Sequence, residues 1–273
     1  MIKITDTDYS LPEIHALLGD KVFSTGRTKP LLISGVDVAA GERNQYVVKF
    51  VGSPEMTTKS ACFELLGAWI GMQLELNTPL PVTVNITSDF VDTLKGRDTY
   101  SIASKCIGIN YGSKFMEGYA QTPVDTAITG QLLDQAKNIF AFDMSISNPD
   151  RRVDKPNVIS DGNNFLIYDH ELCFSFLLIL PFLRNKTPWV FDQSDKLMCE
   201  NHYFFDKLRK IDCNFREFTE RFLSLDNYFW SRVQKFIPPK WMCKEVLDIQ
   251  KHLDEIKENR VVFSDQLKLI LQA

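Results

Sequence analysis

The spacing of apolar and polar positions changes character midway along the chain. In the first half, Pro30–Ser34 and Tyr46–Phe50 are short β-rich runs separated by a polar turn with Gly41, Glu42, Arg43 and Asn44, which predicts a hairpin. From Thr57 to about Leu76, apolar residues recur at Leu65, Trp69, Met72 and Leu76. A second row at Cys62, Leu66, Ile70 and Leu74 widens the stripe, so a long, mostly buried helix is expected. Two further strands are predicted at Val82–Thr87 and Tyr100–Ile107, the second preceded by the charged turn Lys95, Gly96, Arg97 and Asp98. The second half is helical in period over Ile128–Ser147 and over most of Phe204–Leu271, where Val246, Ile249, Leu253 and Ile256 make one stripe. Between these helical parts, Asn148–Phe174 reads as loops and two short strands carrying most of the unexplained polar residues. The class expected is α+β, with a β-rich first part containing one long helix and a mainly helical second part.

Composition narrows the partners more than the fold. The 273 residues suit one large domain or two closely joined lobes, and 44% hydrophobic with 24% charged residues is ordinary for a globular chain. With 31 Lys+Arg against 35 Asp+Glu, the net charge of -4 supplies no global field for a polyanion, so no direct nucleic-acid binding is expected. The longest uncharged apolar run, Leu172–Leu183, contains Ser175 and Pro181 and falls short of the roughly 20 residues of a membrane span. The opening MIKITDTDYS lacks a secretory signal pattern. The six cysteines are scattered with no C-x-x-C pair, as reduced thiols of a cytoplasmic protein would be.

The segment with chemistry in it runs from Asn148 to His170. Asp150 follows a predicted helix, Asn157 enters a strand, and Asp169 leaves the next one, so three oxygen-bearing side chains share one hairpin. Hard cations such as Mg2+ take carboxylate and amide oxygens and keep positions for water and phosphate, which suits phosphoryl transfer. Asn, Pro and Asp also make ordinary surface turns, and this segment alone leaves the two readings even. Lys49 tips the balance. It lies inside the apolar run Val47–Phe50, where a lysine is costly to bury without an anionic partner, and Glu64 on the following helix is the candidate partner. Upstream, Ser24, Thr25, Gly26 and Arg27 precede a strand. The order is then phosphate loop, strand lysine, helix glutamate, catalytic loop and metal aspartate.

These residues resemble the HipA-like kinases, specifically a compact branch in which one kinase core makes up nearly the whole chain. The resemblance is carried by Gly26–Leu32, Tyr46–Phe50, Glu64-Leu65-Leu66 with Leu80-Pro81-Val82, and above all by Asn148-x-Asp150-Arg151, Pro156-Asn157 and Tyr168-Asp169-His170. It runs from about residue 20 to 175, with a weaker helical continuation. Phosphoinositide kinases share a related but less specific pattern. The resemblance implies a bilobal protein-kinase-like fold, with a β-rich N-lobe over 1–107 and a mainly helical C-lobe over 108–273.

It also implies roles. Asp150 is the expected catalytic base, Asn157 and Asp169 the Mg2+ ligands, Lys49 the ATP phosphate contact, and Glu64 the residue that holds Lys49. Ser24, Thr25, Gly26 and Arg27 are the expected nucleotide-covering loop, with Ser24 and Thr25 as candidate autophosphorylation sites. The expected activity is ATP- and Mg2+-dependent transfer of the γ-phosphoryl to a Ser/Thr hydroxyl of a protein, as a toxin or effector, with an antitoxin or regulatory partner in view. The alternatives are a catalytically silent nucleotide-binding scaffold and a lipid or small-molecule kinase. Asp150 and Asn157 stand two residues further apart than in the protein-kinase catalytic loop, which leaves Asp154 as a competing ligand. His170, where many kinases carry an aromatic residue and a glycine, is placed at the edge of the site without a catalytic role.

Overall fold

The computed structural model describes residues 1–23, 27–123, 126–209 and 211–272. Five strands, β1 (Glu13–Val22), β2 (Leu31–Asp37), β3 (Arg43–Lys49), β4 (Pro81–Ile86) and β5 (Gly108–Lys114), close into a barrel in the order β1-β2-β3-β5-β4. All neighbours are antiparallel except β1 and β4, whose parallel pairing (Ile14 opposite Val84) completes the ring. Alternate residues point inward, so Ile14, Ala16, Leu31, Ile33, Tyr46, Val48, Val82 and Val84 fill the interior. Closure leaves the barrel no free edge.

The predicted hairpin is β2–β3, with Leu32 opposite Val47. The strand expected over Tyr100–Ile107 is instead a helical turn, α3 (Tyr100–Ala103), following the short α2 (Ser88–Thr93). Its apolar residues Tyr100, Ile102, Ala103 and Cys106 plug the barrel interior rather than line a strand face. The strand begins only at Gly108, whose φ of 110° is open to glycine and strained for other residues. β1 escaped prediction because its register shifts between Ala16 and Leu18 and again between Gly19 and Val22, and each irregularity breaks the two-residue alternation that marks a strand.

Helix α1 (Thr58–Gln73) starts at the Thr57 cap, whose Oγ1 accepts the Ser60 N–H at 3.0 Å, a bond of the kind that contributes about 1 kcal/mol. Every residue from Ala61 to Gln73 is buried, so the helix is enclosed on all faces rather than lying at a surface. It belongs to a second core shared with α4 (Gln131–Ser145), α8 (Asn227–Phe236), α9 (Glu245–Glu258) and α10 (Arg260–Gln272). The shorter α5 (Gln193–Asn201), α6 (Phe205–Leu208) and α7 (Arg216–Glu220) complete the helical half, whose phenylalanines Phe204, Phe215, Phe218, Phe222 and Phe229 are all buried. A small sheet of β6 (Ala120–Gln121), β7 (Val158–Ser160) and β8 (Phe165–Ile167) packs against α4 through β8. No helix among the described residues is long and apolar enough to cross a membrane.

Candidate active site

The site is built on the stretch between α4 and β8. Asp143, in the last turn of α4, is fully buried, and its carboxylate accepts from three side chains, two in the loop that follows and one far along the chain. Oδ1 accepts from Asn148 Nδ2 at 2.7 Å, and Oδ2 accepts from Arg151 Nε at 2.5 Å and His202 Nε2 at 3.0 Å. His202 Nδ1 accepts the Phe204 N–H at 3.2 Å, which puts the ring proton on Nε2 and leaves the imidazole neutral. Burial penalises the Asp143 charge, but Arg151 and His202 outweigh it and hold the carboxyl at about 2. Arg151 also donates from Nη1 to the Asn157 carbonyl at 2.6 Å, and Asn148 Oδ1 accepts the Asp150 N–H at 3.1 Å. Both ends of the 148–157 loop are thereby fixed to one buried ion pair.

That loop presents Asp150 and Asn157 together. Asn157 Nδ2 donates to Asp150 Oδ2 at 3.1 Å, and Lys155 Nζ bridges Asp150 Oδ2 at 2.7 Å and Asp169 Oδ2 at 3.1 Å. The β7–β8 hairpin pairs Val158 with Ile167, so Asn157 and Asp169 leave it at the same end. Of the six non-glycine residues with positive φ among those described, four lie in this stretch: Ser147, Asn157, Asp169 and Phe174. Backbone held in sparsely populated conformations gathers at functional sites, where the surroundings over-determine it.

Lys49, the last residue of β3, supplies the other wall. Its buried Nζ lies 3.0 Å from Glu64 Oε2, 2.5 Å from Asp169 Oδ1 and 3.2 Å from Glu171 Oε2. Burial opposes the ammonium charge, yet Asp169, Glu64 and Glu171 together raise Lys49 well above its ordinary value. One ammonium does not neutralise three carboxylates. Glu64 shows the remainder, being pushed up to about 7 by burial and by the Asp169 and Glu171 charges against the pull of Lys49. Asp169 goes the other way, because Lys49 and Lys155 overcome its burial and hold it well below the usual carboxylate range. The segment carrying Asp169 and Glu171 is seated against α1 at Gly67, where an added Cβ would stand 2.6 Å from the His170 Cβ.

The structure thus brings Lys49, Glu64, Asp150, Asn157 and Asp169 into one cluster. Arg27 reaches it at the rim, with Nη2 3.7 Å from Glu171 and Nε 3.0 Å from Glu55. Ser24, Thr25 and Gly26 lie outside the described residues. Asp154 does not join: it is exposed and pairs with Arg152 at 3.1 Å. His170 is buried against Phe142, and burial drops it to about 3, so it is a neutral packing group. Four residues were missed by sequence reasoning. Lys155 reads as a spacer in the Asp150–Asn157 interval, and Glu171 follows Asp169 by two positions without a motif of its own. Asp143 and His202 offered no motif, being joined across 59 positions by the fold alone.

A strand lysine paired to a helix glutamate, facing an Asp/Asn loop and a post-strand aspartate, is the constellation of a phosphotransferase. The family model for HipA-like kinases matches residues 20–265, nearly the whole chain, and the chain belongs to that family. No curated protein matches it. Membership implies a kinase, with ATP and a divalent cation as its cofactors. The residues present fit both. Among the described residues nothing donates to Asn157 Oδ1, and with the Asp169 carboxylate it makes a hard-oxygen donor set, while the Lys49 and Lys155 ammoniums suit phosphate charge. The carboxylates of Glu64, Asp169 and Glu171 also lie within 4.8 Å of one another, but Lys49 Nζ contacts all three and already serves as their cation.

Proposed function

We propose that this chain is a Mg2+- and ATP-dependent protein kinase that transfers the γ-phosphoryl to a Ser/Thr hydroxyl. The observation that carries the reading is the continuous ion-pair chain Glu64–Lys49–Asp169–Lys155–Asp150, which links residues from the barrel, α1, the loop and the hairpin. In it Lys49, held by Glu64, contacts the ATP phosphates. Asn157 and Asp169 hold Mg2+, which when bound neutralises phosphate charge. Asp150 orients the acceptor hydroxyl and takes its proton, and its backbone is fixed for this by Asn148. Lys155, already between the two aspartates, stands where it can pass from Asp169 to transferred phosphate. Arg27, with Ser24, Thr25 and Gly26, covers the nucleotide, and Ser24 or Thr25 takes phosphate in autophosphorylation.

The two-lobe division belongs to the same reading, with its boundary moved from 107 to beyond Lys114, because β5 closes the barrel. A toxin or effector role with an antitoxin partner is proposed from the family likeness alone, and residence in the cytoplasm from the scattered free cysteines. The test is transfer of labelled γ-phosphate from Mg-ATP to the protein itself and to a lysate, beside Asp150→Asn. The variant is expected to keep nucleotide-induced thermal stabilisation and to lose transfer about 100- to 10,000-fold, the span general-base catalysis supplies. Equal labelling by both proteins would remove Asp150 from the mechanism, and stabilisation by Mg-ATP with no labelling by either would leave the silent nucleotide-binding scaffold standing.

A further inference from the structure

Two cysteines that the active site does not use meet across the helical core. Cys62, in the first half of α1, and Cys243, two residues ahead of α9, are 181 positions apart in sequence, yet their sulfurs lie 3.9 Å apart. A disulfide needs about 2.05 Å between sulfurs, so closure asks for a further approach of about 2 Å. The two elements are already held face to face at this point, because Lys59 of α1 pairs with Glu245 of α9 at 2.7 Å. The Cys243 segment is anchored by buried Trp241, whose N–H donates to the Pro238 carbonyl at 2.8 Å. Five of the six cysteines are buried, and Cys243 alone is partly exposed, so solvent reagents meet it first.

We propose that Cys62 and Cys243 form a dithiol site that small-molecule disulfides oxidise to an intramolecular cross-link between α1 and the segment entering α9. The Cys243 thiolate attacks one sulfur of the small disulfide, whose S–S bond breaks and releases one thiolate, leaving a mixed disulfide on Cys243. Cys62 then gives up its proton, its sulfur attacks Cys243 Sγ, and the second small thiolate leaves. The released thiolates take up the two protons, so two protein thiols are oxidised while one small disulfide is reduced to two thiols. The polarity of the pair suits this order, since contact with Cys62 holds the Cys243 thiol below its ordinary value, which favours the nucleophile at the accessible end. The link would fasten α1 two residues before Glu64.

The test treats the folded, full-length protein with oxidised glutathione, alkylates the remaining thiols and maps the digest by mass spectrometry. A single cross-linked peptide pair, Cys62 with Cys243, is expected, with two of the six thiols lost and both recovered on reduction. Cys243→Ser should abolish the link, and Cys173→Ser should leave it unchanged. Retention of all six thiols, glutathione persisting on Cys243 without a cross-link, or a link from Cys62 to Cys173 would each overturn the proposal.

Discussion

Two clusters of buried charge share the 148–157 loop and treat that charge in opposite ways. In the Asp143 cluster, one carboxylate meets one guanidinium, a neutral imidazole and an amide, so the charge closes on itself, although Arg151 Nη2 is buried without a hydrogen-bond partner among the described residues. In the Lys49 cluster, three carboxylates crowd one ammonium and a second, part-exposed lysine bridges onward to Asp150. The first is a charge-balanced structural joint. The second holds more negative charge than its own cations balance, so it has something to gain from a further cation and two ammoniums to offer an anion. Burial alone does not separate a supporting ion pair from a site; the balance of charge within it does.

The largest effect should come from breaking the closed cluster. Asp143→Ala leaves Arg151 buried and uncompensated and frees both ends of the loop, so urea unfolding should show a loss of about 3–5 kcal/mol. A loss below about 1 kcal/mol would mean the joint carries no more than a surface pair.

The next effect is one of sign. Asp143 sits below its unfolded value of 3.8, so its stabilisation is present above that pH and is lost as pH falls toward about 2. Glu64 sits above its unfolded 4.5, so the folded state is favoured by its protonation below 4.5, and that contribution disappears as pH rises through about 7. Unfolding of the wild type and Glu64→Gln at pH 4.5 and pH 8 isolates this term. The wild type should lose up to about 3 kcal/mol relative to the variant between the two. An unchanged difference would show that Glu64 ionises freely, and the cluster would not be overcharged.

How much of this was legible beforehand follows from how each residue is recruited. The loop and hairpin residues Asp150, Asn157 and Asp169 lie within 20 positions, and Lys49 and Glu64 stood out by residue type against an apolar strand and by helix spacing. Local pattern was enough to find them. The helices within Ile128–Ser147 and Phe204–Leu271 were legible for the same reason, as periods of apolar residues, whereas α5 lies outside both ranges. The closed cluster was not, since Asp143 meets His202 only after α4 and the turn before α6 have packed. Lys155 is a lysine in a polar loop until the hairpin brings Asp169 within 3.1 Å of it. The barrel was half legible: β2, β3 and β4 show as short β-rich runs, whereas β1 is broken by bulges and α3 imitates a strand through apolar residues that face the barrel interior.

The smallest effect is expected where a charge lies in the same loop but in neither cluster. Asp154 is four residues from Asp150 and three from Asn157, close enough in sequence to compete for a metal, yet its side chain is 72% exposed and bound to Arg152. Solvent screens such a pair, and side-chain entropy consumes much of its attraction. Asp154→Asn should therefore change unfolding stability by no more than about 0.5 kcal/mol and leave the Mg2+ concentration for half-maximal transfer where it was. Asp169→Asn should move that concentration strongly, because its carboxylate is the one shared by Lys49 and Lys155. A Mg2+ requirement that rose for Asp154→Asn and not for Asp169→Asn would transfer the metal role to the loop surface. The balance of charge would then have misidentified which of the loop's acids does the chemistry.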